Sequence, residues 1–133
     1  MISEVSYQGN LRTVCKHLKS QSTIETDAPT DNNGNGERFS PTDLVATALA
    51  SCMITVMGIR AQLSGIPFEN VKASVQKSMG ISPRRITEIK VEIVVQDSWN
   101  GKQREIMEQT ARGCPVAQSL SPELAQNVSF NYI

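Results

Sequence analysis

The stretch from Ser40 to Leu63 limits the possible folds more than any other part of the chain. Ser40-Pro41-Thr42-Asp43 places an N-cap serine, a proline at the first helical position and an acid at the third, the combination that starts a helix. Phe39 is the apolar residue before the cap. The run that follows, Leu44-Val-Ala-Thr-Ala-Leu-Ala-Ser-Cys52-Met-Ile-Thr-Val-Met57, is apolar nearly all round until Arg60. Ser64-Gly65 and Pro67 then close it. A helix apolar on every side is expected to be buried on most of them. Its small residues, Ala46, Ala48, Ala50, Ser51 and Gly58, would let another helix approach closely. Thr47, Ser51 and Thr55 interrupt the apolar run and Arg60 ends it, which marks a core helix rather than a bilayer span.

The flanking segments have a different period. Val5–Gln8, Leu11–His17 and Ser22–Thr26 are short alternating stretches separated by Gly9-Asn10 and Ser20-Gln21, which predicts an antiparallel meander. Residues 28–37 form a polar Gly/Asn-rich loop. The loop lacks the Gly-Lys-Ser/Thr ending of a phosphate loop. Beyond the helix, Val71, Ala73, Val75, Lys77 and Met79 alternate with Lys72, Ser74, Gln76 and Ser78. After a turn at Gly80 to Pro83, Ile89, Val91, Ile93 and Val95 alternate with Lys90, Glu92 and Val94. Residues 99–112 read as an amphipathic helix with Ile106 and Met107 inward, and Trp99 is a core residue. Gly113 ends that helix. Pro115 opens a short one from Val116 to Leu120, with Cys114 at or beside its N-cap. Val128–Tyr132 is a last strand. This order predicts an α+β fold with mostly antiparallel sheet in one domain over residues 1–133. One sheet would leave part of so apolar a helix uncovered, which points to a dimer.

Thirteen basic and thirteen acidic residues give a formal net charge of zero. No basic run suits nucleic acid or a membrane surface, so neither is expected as a partner. Met1-Ile-Ser-Glu-Val has no charged and apolar leader pattern, which suggests a cytoplasmic protein. Three cysteines in that compartment read as reactive or incidental thiols rather than structural disulfides.

Each cysteine has a plain reading and a chemical one. Cys52, inside an apolar helix, can be a small buried hydrophobe. Cys114, at a helix start, faces unpaired N–H groups that favour a thiolate. Cys15 lies in a strand beside Lys16, but neighbours on a strand point to opposite faces, so it reads as incidental. His17, the only histidine, reads as a surface residue. Cys15 and His17 share a strand face without further ligands, so no metal and no cofactor are expected.

The segment Phe39-Ser-Pro-Thr-Asp-Leu-Val-Ala-Thr-Ala-Leu-Ala-Ser-Cys52, followed later by Gly113-Cys-Pro115-Val, resembles the OsmC/Ohr family of organic hydroperoxide reductases, in its broader OsmC-like subgroup. The resemblance spans nearly the whole chain. It implies an OsmC-like α+β fold with a long central helix in an intertwined homodimer. It implies that Cys52 is the peroxidatic thiol, attacking an organic hydroperoxide, and that Cys114 resolves the sulfenic acid as a disulfide. A dithiol reductant, lipoyl or a small thiol, would then reopen the bond. In the peroxide reductases an arginine from the N-terminal strands activates the first cysteine, held by a glutamate just after the helix-start proline. Here Thr42 takes the glutamate's place. Arg12 is the arginine this pattern suggests, with Arg38, Glu37 and Asp43 as further activating residues. Two other functions remain open: a non-catalytic dimer holding a small hydrophobic ligand, and a thiol redox sensor.

Overall fold

The computed structural model describes residues 1–133, and they group into two compact units, Met1–Val45 and Ala46–Ile133. The boundary falls within the first turns of the long helix.

The first unit is a three-stranded antiparallel meander of β1 (Ser3–Gly9), β2 (Arg12–His17) and β3 (Thr23–Asp27). Its register sets Val5, Cys15 and Ile24 side by side, with Tyr7, Thr13 and Thr26 in the next row. The other face carries Arg12 opposite Asp27 and Val14 opposite Glu25. Val5, Tyr7 and Ile24 are exposed, so the apolar face of this sheet is open in the single chain. The unit ends in a true capping box. The Asp43 amide donates to Ser40 Oγ at 3.1 Å, and Asp43 Oδ2 accepts the Ser40 amide at 2.9 Å.

The second unit is a sheet covered by helices. Helix α1 (Pro41–Ser64) continues into it, and Gly65, at φ +65°, lets the Ile66 amide bond back to the Ala61 carbonyl. Strands β4 (Val71–Gly80) and β5 (Arg85–Val95) form an antiparallel hairpin. Helices α2 (Gly101–Arg112) and α3 (Pro115–Ser119) follow, then β6 (Ala125–Tyr132). The sheet order is β4-β5-β6, and β6 joins β5 in parallel. A parallel neighbour needs a crossover rather than a hairpin, and α2 with α3 supplies it. The α+β class holds, with this one parallel pairing among antiparallel ones.

The core joins one face of the sheet to three helices. Ile89, Val91, Ile93 and Val95 of β5 are fully buried, as are Leu49, Met53 and Met57 of α1, Met107 and Ala111 of α2, and Cys114. Trp99 is also buried and donates its indole N–H to the Pro67 carbonyl at 2.6 Å. Helix α1 departs from expectation. Its buried residues, Ala46, Leu49, Ala50, Met53, Met57 and Ala61, make a single face, while Ile59 and Leu63 are exposed. The predicted burial on most sides is not met within one chain. A three-stranded sheet is wide enough to cover one face of a helix and no more. By length and composition α1 could also cross a bilayer, but here that one face is part of the core.

Candidate active site

Cys52 lies one position before Met53 on α1, at the margin of the buried face, and it is half-buried against the core. Cys114 comes from the break between α2 and α3. Gly113 ends α2 with its amide bonded to the Gln109 carbonyl, and the chain then extends, with Cys114 at φ −64° and ψ 152°. That extended geometry makes Cys114 the N-cap of α3. Pro115 holds the first helical position, and Cys114 Sγ accepts the Ala117 amide at 3.4 Å.

The fold brings these two thiols near one another, close enough for Cys52 to act on the ionisation of Cys114. Burial pushes the Cys114 thiol above its ordinary value. The Ala117 and Val116 amides pull it down, while the nearby Cys52 side chain pushes it further up. Cys114 is therefore held as a protonated thiol, accepting one hydrogen bond from the backbone. Both cysteines are unbridged in this structure. Two free thiols in one core, one of them buried and held as a thiol, are an arrangement suited to thiol–disulfide chemistry.

The proposed activating residues all belong to the first unit, where Arg12, Glu37 and Arg38 form a network with Asp27 and Glu25. Arg12 makes a two-pronged bond to Asp27, Nε to Oδ1 at 2.7 Å and Nη2 to Oδ2 at 2.9 Å. Asp27 is 1% exposed and also accepts the Glu37 amide at 3.1 Å. Glu37 lies 3.5 Å from Arg12 Nη2 but is largely exposed, and Glu25 lies at 3.8 Å from Nη1. Arg38 pairs with Glu25 at 3.3 Å. The Arg12 guanidinium holds the Asp27 carboxyl below its ordinary range against the opposing effect of burial, and Asp27 in turn strengthens the charge on Arg12.

Asp43 is tied into the helix cap, and Thr42 is 3.2 Å from the Ser40 hydroxyl. The carboxylate that grips Arg12 is thus Asp27, which sequence reading passed over. The expected third strand stopped at Thr26, and it is the observed register that sets Arg12 directly opposite Asp27 across one strand pair. Cys15 sits between Val5 and Ile24 in its sheet, and His17 bonds Ser20 Oγ at 2.7 Å. No group of three or more metal-ligating side chains comes together.

Comparison with known proteins follows the same lines. The family model for OsmC-like protein matches residues 34–129. A crystal structure from Psychrobacter arcticus 273-4, described as a candidate osmotic stress induced and detoxification response protein, superposes with a TM-score of 0.95. It is 46% identical over 98% of this chain and 96% of that one. An OsmC like protein from Mycoplasma pneumoniae superposes with a TM-score of 0.83 at 16% identity, over 98% and 95% of the two chains. An organic hydroperoxide resistance protein OsmC from Legionella pneumophila gives 0.74 at 17% identity, over 98% and 95%. The last two show the shared fold alone. No curated protein matches the chain.

Proposed function

This chain belongs to the OsmC-like protein family, and from that premise we propose that it is a thiol-dependent reductase of organic hydroperoxides. The observation that carries the reading is the pairing of two free thiols in one core, Cys114 at the N-cap of α3 and Cys52 on α1 near enough to act on its ionisation. The Cys52 thiolate attacks the distal peroxide oxygen. The O–O bond breaks, the alcohol leaves with a proton, and Cys52 becomes a sulfenic acid. The Cys114 sulfur then attacks Cys52, water leaves, and a disulfide remains. An external dithiol, lipoyl or a small thiol, takes up that oxidation and returns both thiols.

For the cation that activates Cys52 we propose Arg12. Its support is the fork to Asp27, which holds the guanidinium in one geometry. We propose a homodimer in the cytoplasm as the working form. Its support is the apolar surface left open on one chain, Val5, Tyr7 and Ile24 on the first sheet and Ile59 and Leu63 on α1.

The deciding experiment mixes reduced protein with one equivalent of an alkyl hydroperoxide. Peroxide should disappear, two free thiols per chain should be lost, and peptide mapping should find Cys52 joined to Cys114. Retention of all thiols under excess peroxide would refute the reading. In that event the ligand-binding alternative takes its place, favoured by one observation: the helix start offers Thr42 and a cap-bound Asp43 instead of a glutamate aimed at arginine.

A further inference from the structure

Helix α3 is held at both ends of one residue. The Ala117 amide donates to Cys114 Sγ at 3.4 Å, and the Ala117 carbonyl accepts from Gln126 Nε2 at 3.0 Å. Ala117 is itself buried. Gln126 belongs to β6, which is locked into the sheet beside Ile89 of β5. A chain of hydrogen bonds therefore runs from the sheet through Gln126 and Ala117 to Cys114, whose core also holds Cys52. Helix α3 is a single short turn, and its own backbone does little to hold it.

We propose that Gln126 is the positioning residue of the second thiol. By anchoring Ala117, it fixes the amide that aims the Cys114 sulfur at Cys52. The inference rests on the reading of Cys114 as the resolving thiol, but one test needs no peroxide. Reduced protein is equilibrated with a reduced and oxidised glutathione couple. Oxidised glutathione accepts two electrons and the two thiol protons from the pair, giving one Cys52–Cys114 bond and two glutathione thiols. The equilibrium constant measures how well the two sulfurs are placed, whatever the peroxidase activity.

Loss of the Gln126 donor should lower that constant about three- to tenfold, the value of roughly one hydrogen bond. Gln126→Ala removes the donor and the side-chain volume. Gln126→Glu keeps the volume and length but cannot donate at neutral pH, so it should fall at least as far as the alanine variant. As the buffer is acidified and the introduced carboxylate gains a proton, the constant should recover towards the wild-type value. In the peroxide reaction, both variants should close the disulfide more slowly relative to sulfenic acid formation, with more sulfenic acid caught by dimedone. If Gln126→Glu matches the wild type at neutral pH, the positioning role is overturned. If wild type shows a normal glutathione equilibrium but no peroxide reaction, the reductase reading fails while this inference stands.

Discussion

Replacing Cys114 tests whether its sulfur holds α3. In Cys114→Ala two contributions disappear. The sulfur, in a side chain only 1% exposed, is lost from the core. Removing a buried group of that size costs about 1 kcal/mol. The cap on the Ala117 amide is also lost. At 3.4 Å to a sulfur acceptor it belongs at the low end of N-cap values, about 0.5–1 kcal/mol. Together these predict a destabilisation of about 1.5–2 kcal/mol. For a chain of 133 residues, 1 kcal/mol moves the melting temperature by about 3–4 °C, so the expected drop is about 5–7 °C. Cys114→Ser restores a strong capping oxygen in the same position and should recover about 0.5–1 kcal/mol relative to alanine. Urea unfolding of all three proteins, in excess reductant so that no disulfide contributes, gives the comparison. A serine variant no more stable than the alanine variant would refute the capping argument. Equal stability of alanine variant and wild type would refute the packing argument as well.

Two further predictions concern pH. The Asp27 carboxyl is held below its ordinary value of 3.8, so the folded protein binds fewer protons there than the unfolded chain. Its contribution is complete above about that value and fades as pH falls through the lower folded value. Acid unfolding followed by circular dichroism should therefore show a shallower acid limb for Asp27→Asn, and an unchanged limb would contradict the pairing with Arg12. The Tyr132 hydroxyl donates to Glu108 Oε2 at 2.6 Å, and burial, with that hydrogen bond, pushes its ionisation up from 10.0. Its contribution is present below that pH and is lost as pH rises towards the folded value. Tyr132→Phe should flatten the alkaline limb of the stability curve, and a curve parallel to wild type would remove the argument.

Local sequence carried the helices and most of the strands. The Ser40-Pro41-Thr42-Asp43 start was readable because capping is a matter of a few adjacent residues, and the structure adds only that Asp43 closes the box. The period-two runs at Val71–Met79 and Ile89–Val95 became β4 and β5 for the same reason. The start of α2 was less visible: Asn100 and Gln103 make a reciprocal cap that reading by apolar period placed near Trp99.

What sequence alone decided about this protein is the set of local elements and the two thiols, because caps, turns and hydrophobic periods act over a few residues. What it left open depends on contacts between distant segments. The parallel joining of β6 to β5 was hidden because pairing direction depends on the path of the crossover. The partner of Arg12 was hidden until strand register set Asp27 across from it. The one-sided burial of α1 reflects the width of the sheet it meets, which no property of the helix encodes. The nearness of Cys52 and Cys114 has the same origin: a helix and an interhelical break share one core, with Cys114 inside it and Cys52 packed against it.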